Sequence, residues 1–258
     1  METIKDKQQV TVGYQAKSYL YFGIASIMLA CNAIGERFLN DTDISDGLRM
    51  VFIAVSLVFY IASYVFSIKG FSVFSRACRL TETNDCYYLG RNLKILSFIS
   101  LLVTLICEFL TIIFYILLRQ YAGRMLTSDE TVASQNIMII SGIVVIVMQI
   151  CSLSSLYIIF FLKNRRLVSV KSFRDFSLFA GILLTVQLII GIISRVFAIS
   201  GQNISFLSDF SMILQIIKYL IMIIYFFFGR NLAQTNANFA KVENTDYDKS
   251  KSDAWLEN

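Results

Sequence analysis

Residues 205–229 read SFLSDFSMILQIIKYLIMIIYFFFG, an apolar run with one lysine, Lys218, near its middle. A membrane-spanning α-helix takes about 20 apolar residues to cross a hydrocarbon core of roughly 30 Å, and this run is long enough. A lysine at the centre of such a helix costs roughly 2.5–3.5 kcal/mol on insertion scales, so it must be paired, face water inside a bundle, or be kept for function. The one acidic residue inside another apolar run is Glu108, near the middle of residues 96–118, LSFISLLVTLICEFLTIIFYILL. Lys218 and Glu108 are expected to pair, which would keep both ionised; an unpaired Glu108 could instead carry protons.

Working outward, the same kind of run recurs along the chain. Of 258 residues 56% are hydrophobic and only 16% are charged, and the runs are apolar nearly all round, without the charged faces of a soluble helical protein. Short alternating segments of the β-barrel kind are absent from the sequence. The reading is an all-α, polytopic bundle of six transmembrane spans at about residues 18–35, 50–68, 95–118, 137–162, 177–199 and 205–229. Residues 1–17 and 230–258 read as polar tails, the second Asn-rich and too polar to bury except where span six continues as helix.

Orientation follows from the basic residues, because short cytoplasmic loops retain Lys and Arg. Lys5, Lys7 and Lys17 precede span one, and residues 69–94, 163–174 and the C-tail bring one side to seventeen basic residues. The other side holds only Arg37, Arg49, Arg119 and Arg124. Both termini are therefore expected in the cytoplasm, with the chain in the cell membrane. The net charge of +5 reports topology and not a nucleic-acid partner, since no surface interleaves aromatic with basic residues.

Several chemistries are excluded by the sequence. There is no histidine, which removes the common zinc, haem and Ser-His arrangements, and no Gly-rich phosphate loop occurs. Cys31, Cys107 and Cys151 read as small core residues, and Cys78 and Cys86, both placed in the cytoplasmic loop after span two, fit no zinc spacing. No cofactor is expected. Cys31 ends a loose lipoprotein cleavage box, Ile27 to Cys31, but its long N-region and Met28 favour an uncleaved helix. Two glycosylation sequons begin at Asn40 and Asn203, and chance explains both. Proline is absent and the glycines within spans four and five are isolated, so continuous spanning helices are expected.

Polar residues inside the spans are ordered. Ser208, Ser211, Gln215, Lys218 and Tyr225 draw one stripe along span six, and Ser97, Ser100, Thr104, Glu108, Thr111 and Tyr115 draw another along span three. Span two adds Ser56, Tyr60, Ser63 and Ser67. Gln149, Ser152 and Gln187 lie near the midpoints of spans four and five, so Glu108, Gln149, Gln187, Gln215 and Lys218 could meet at one depth around a hydrated cavity. The plainer reading is packing: Ser and Thr bond their own backbone, and Gln pairs hold helices together at well under about 2 kcal/mol each. Arg195 is expected to snorkel to the interface.

Spans also start at regular intervals, near Lys17, Lys94 and Lys171, so the chain divides into three helical hairpins without clear internal repetition. Three functional classes fit. The first is a transport or pore-forming membrane subunit, alone, as a homo-oligomer, or with a cytoplasmic ATPase or another membrane subunit docked on residues 69–94, where Arg76, Arg79 and Arg91 would face the partner. In broad shape the chain is similar to the six-span permease subunits of ABC-type exporters, a similarity of architecture. The second is a non-transporting interaction protein, an assembly, sensor or immunity factor whose polar stripes bind partner helices. The third, an intramembrane lipid enzyme, is the weakest, because Asp175 and Asp209 lie on opposite sides.

Overall fold

A computed structural model describes residues 4–39, 46–80, 84–121, 127–201, 205–236 and 239. Every element among them is an α-helix: α1 Ile4–Leu39, α2 Asp46–Leu80, α3 Asn84–Tyr121, α4 Ser128–Ile150, α5 Leu153–Asn164, α6 Lys171–Ile199 and α7 Ser205–Thr235. α4 and α5 follow one another in a single crossing, so the described residues form six helical segments long and apolar enough to span a membrane. That is the composition of a multi-pass membrane protein. The sequons at Asn40 and Asn203 and the C-tail beyond residue 239 lie outside the described residues.

Helices adjacent in sequence pack against one another, and α1 against α7 closes the ring. An even number of crossings brings the first and last helices to one end of the bundle, the terminal end; the opposite one is the far end. α4 begins at the far end with a reciprocal cap: Thr127 Oγ1 accepts from the Glu130 amide at 3.3 Å, and the Glu130 carboxylate accepts from the Thr127 amide at 3.0 Å. Such a cap contributes about 1 kcal/mol and fixes where the helix starts.

The core is aromatic and lies toward the terminal end. Tyr19, Phe22, Phe71, Phe74, Tyr157, Phe160, Phe161, Phe173, Tyr225 and Phe226 are all fully buried. Their rings meet at close range, with Phe173 stacked on Tyr225 at 4.5 Å between centroids and Phe161 edge-on to Tyr225 at 4.7 Å. Pairs of this kind are worth about 0.5–1.5 kcal/mol beyond the area they bury. The outer faces of α3 and α4 are instead exposed and aliphatic, and α4 has no buried residue.

Three expectations are corrected. Residues 69–80 and 84–94, expected in a loop, are helical: α2 continues to Leu80 and α3 starts at Asn84. The charges that interrupt the hydropathy there sit on helix faces, with Arg76, Arg79 and Arg91 exposed and the Arg91 guanidinium 5.4 Å from the Tyr88 ring centroid. Cys78, expected in that loop, is buried in α2. α2, at 35 residues and about 1.5 Å per residue, is longer than the apolar layer is thick, so the α2–α3 hairpin extends past it. The helix after Arg230 continues as expected, to Thr235, but the tail then returns. Phe239 is fully buried against Tyr19 and Phe173, and its carbonyl accepts from the Ser169 amide at 3.0 Å.

The third correction concerns span four, which is not continuous. α4 stops at Ile150 and α5 starts at Leu153, with Ser152 in an extended conformation between them. A break inside a membrane must satisfy its freed carbonyls without bulk water. Serines do this. The Gln149 carbonyl accepts from Ser152 Oγ at 2.8 Å and from Ser155 Oγ at 3.5 Å, and the Cys151 carbonyl accepts from Ser100 Oγ on α3.

Candidate functional site

Where span four breaks, the bundle opens. A cavity of about 640 Å³ runs from the far end down to the middle of α7, bounded by α4, α5, α6 and α7 with Ala33 of α1 and Tyr60 of α2. Part of its wall is made of small side chains, including Ser152, Ser154, Gly191, Ser194 and Ala198, which leave room that the aromatic rings below do not. Gly191 shows how close the polar groups stand: a Cβ built on it would lie 3.7 Å from Gln149 Oε1 and 3.8 Å from Gln187 Nε2.

Lys218 stands at the inner end of this cavity and is only 4% exposed. Its ammonium donates to Gln187 Oε1 at 3.1 Å and to Ser154 Oγ at 3.2 Å, and lies 4.4 Å from the Tyr219 ring centroid. Three helices each contribute a glutamine to the lining: Gln149 from α4, Gln187 from α6 and Gln215 from α7. Gln149 Oε1 is buried without a hydrogen-bond partner. Ser211 lines the same wall one to two turns toward the far end, and Arg195 and Asp209, both exposed, line the mouth. Arg195 is thus part of the opening and not only an interfacial anchor.

Glu108 does not line the cavity. It is half-buried on α3, within electrostatic reach of Cys107 and of Tyr60, and Tyr60 itself faces the cavity. Ser100 and Thr104, on the stripe that carries Glu108, pack against α2. Tyr64 OH on α2 is 3.0 Å from Ser100 Oγ and 2.9 Å from Thr104 Oγ1, and Thr104 and Thr111 each donate to the carbonyl four residues earlier. Thr104 is fully buried in this seam. Neither Thr104 nor Thr111 reaches the cavity.

Tyr225, read as the inner end of the span-six stripe, belongs to a sealed network at the terminal end. Asn164, the last residue of α5, donates from Nδ2 to Tyr225 OH at 2.8 Å and to Tyr19 OH at 2.9 Å. Tyr225 OH donates to Ser177 Oγ at 3.1 Å, and Ser177 Oγ donates to the Phe161 carbonyl at 2.7 Å. All four side chains are fully buried, so the network closes the bundle below the cavity. Asn164 escapes a sequence reading because Lys163, Arg165 and Arg166 around it give the signature of a loop. The break in span four did leave a signal, the cluster Ser152, Ser154 and Ser155 at mid-span, although the usual Pro or paired Gly is missing.

No metal-binding group of His, Cys, Asp and Glu exists among the described residues. No protein-family model matches the chain, and no curated protein and no solved structure is significantly similar to it.

Proposed function

We propose that this is a membrane transport or pore-forming protein in which a polar solute occupies the cavity at Lys218, with both termini in the cytoplasm and the cavity open outward. One observation carries the reading: a lysine 4% exposed, at the inner end of an opening of about 640 Å³ that a glutamine from each of three spans helps to line, one of them, Gln187, bonded to the lysine. Ionisable residues held within the bilayer mark solute and ion routes by default. The broken span four supports the same reading, because irregular backbone at membrane depth is tolerated where it lines a cavity, and half-helix ends there serve binding. The seventeen basic residues on the terminal side support the orientation. The aromatic network then acts as the closed inner gate, and release toward the cytoplasm requires α5 and α7 to part around Asn164 and Tyr225.

The test is two-sided cysteine labelling in a cysteine-free background. Ser154→Cys should react with a membrane-impermeant thiol reagent from the outside, and in a fraction of molecules from the inside as well. A Ser154→Cys that is inert from both sides would end the transport reading.

A second reading has one observation in its favour: Ser128–Ile150 has no buried residue, as expected of a helix that a partner's helix covers. Purification through the C-terminal tail in mild detergent separates the two. A stoichiometric cytoplasmic ATPase points to transport, and a membrane partner whose release exposes α4 points to an interaction protein.

A further inference from the structure

The cavity at Lys218 also has a sign. Among the described residues its lining holds two cations, Lys218 and Arg195, and one carboxylate, Asp209. Asp209 is exposed, and at 1.5 Å per residue it stands about 13.5 Å along α7 from Lys218, so its charge acts at the mouth, where Arg195 also lies. The lining of the inner end therefore carries the lysine's charge. The ammonium also turns the groups around it. Gln187 Oε1 and Ser154 Oγ both accept from Lys218, so the Gln187 amide N–H groups and the Ser154 O–H point away from it. Gln149 Oε1 stands as near to Gly191 as Gln187 Nε2 does, yet accepts from none of these donors.

The break in span four works in the same direction. The carbonyls that end α4 are capped by hydroxyls, Gln149 by Ser152 and Ser155, and Cys151 by Ser100. The amide end of α5 has no side-chain cap, and Ser152 and Ser154 at its start line the cavity. A helix N-terminus is equivalent to roughly half a positive charge, and half-helix N-termini within a membrane meet anionic groups of solutes. Donors and positive charge thus converge at the inner end, from an ammonium, an amide, a hydroxyl and a helix start. A single full charge matches a carboxylate more closely than a doubly charged phosphate. An inorganic ion would leave most of the 640 Å³ unfilled, whereas that volume suits an organic ligand, and Tyr60, Met148, Leu188 and Met212 offer its carbon skeleton an apolar wall. We infer that the solute is a small organic carboxylate, its carboxylate group at Lys218 and its apolar body against Met148 and Met212. The inference rests on the cavity being a solute site and adds the sign and class of the solute.

Ser154→Cys in the cysteine-free full chain, purified in detergent, tests it. Its labelling rates with an anionic and a cationic methanethiosulfonate, the ethylsulfonate and the ethyltrimethylammonium, are each divided by the rate with free cysteine. In the ratio of the two the reactivity of the thiol itself cancels. That ratio should favour the anionic reagent roughly 10-fold; Lys218→Gln should abolish the preference and Lys218→Arg should keep it. If Lys218→Gln does not fold, the ratio with the lysine in place still decides the sign. Benzoate should slow labelling by the neutral methyl methanethiosulfonate at concentrations where benzamide and chloride do not. A thiol inert to all three reagents ends the transport reading itself. A thiol that reacts without preference, or prefers the cationic reagent, leaves a solute site standing and overturns its sign. Benzoate that gives no protection, or chloride or benzamide that protects as well as benzoate, overturns the carboxylate class.

Discussion

The two halves of this bundle are built from the same helices and behave as different materials. At the terminal end α1, α5, α6 and α7 meet through Tyr19, Phe161, Phe173 and Tyr225, and the Tyr19, Tyr225 and Ser177 hydroxyls join one network around Asn164, whose Oδ1 is left without a hydrogen-bond partner. At the far end the same four helices, joined by α4, meet through Ala33, Ser154, Gly191 and Ser211, and the polar atoms of Gln149, Gln187, Gln215 and Lys218 face an opening. Side-chain volume separates the two. Polar groups are present in both halves, and what they do depends on whether aromatic rings fill the space around them.

The largest effect should come from removing a ring at the sealed end. Phe160 touches Tyr19, Phe22, Phe74 and Phe226, at centroid separations from 5.0 Å to 6.4 Å. Phe160→Ala should cost about 3–5 kcal/mol, as large-to-small changes in packed cores do. Reversible unfolding in micelles would measure it. A loss below about 1 kcal/mol would mean that the two halves do not differ in packing.

Next in size is the network. Asn164→Leu strands the buried Tyr19 hydroxyl, and about 1–3 kcal/mol should be lost. Adding Tyr19→Phe should return part of that loss, because the hydroxyl that lost its donor is gone; a double-mutant cycle that shows no coupling would assign Asn164 to packing alone. Smaller again is the break in span four. Ser152→Ala with Ser155→Ala leaves the Gln149 carbonyl only the long contact from the Ser152 amide, at 3.4 Å. The expected loss is about 1 kcal/mol, in line with hydrogen bonds measured between membrane helices. It should be accompanied by a change in labelling at Ser211→Cys, since these serines set the cavity wall.

The open half was more legible than the sealed one. Spacing along spans four, five and six put Gln149, Gln187, Gln215 and Lys218 at one depth, and depth is what periodicity and hydropathy report. Neighbours are a different matter. The stripe on span three gave Glu108 the same depth, but α3 packs on α2, α4 and α5, and Ser100 and Thr104 of its stripe are engaged in the seam with Tyr64. At the sealed end the signals mislead for a physical reason: Asn164 sits among Lys163, Arg165 and Arg166, and Phe239 in a polar tail, so local composition describes the neighbours and not the residue. Charges on the α2–α3 hairpin read as a loop in the same way, although a helix that continues past the apolar layer carries charge on its outer face without strain.

The smallest expected effect is the sharpest probe of the comparison. Gly90 and Gly191 are both helical glycines at helix contacts, one in each half. A Cβ on Gly90 would fall 2.6 Å from the Ser75 Cα, where backbone meets backbone and nothing can move aside, so Gly90→Ala should separate α2 from α3 and destabilise. A Cβ on Gly191 would meet only the ends of Gln149 and Gln187 at ordinary contact distance, so Gly191→Ala should change stability by less than about 0.5 kcal/mol. The larger Gly191→Leu should still fold, because Gly191 lines the cavity and only flexible glutamine ends stand nearest to it, but it should block thiol labelling of Ser154→Cys from the far end. If Gly191→Ala destabilises as much as Gly90→Ala, the far half is packed as tightly as the terminal half, and the opening at Lys218 is not a binding site.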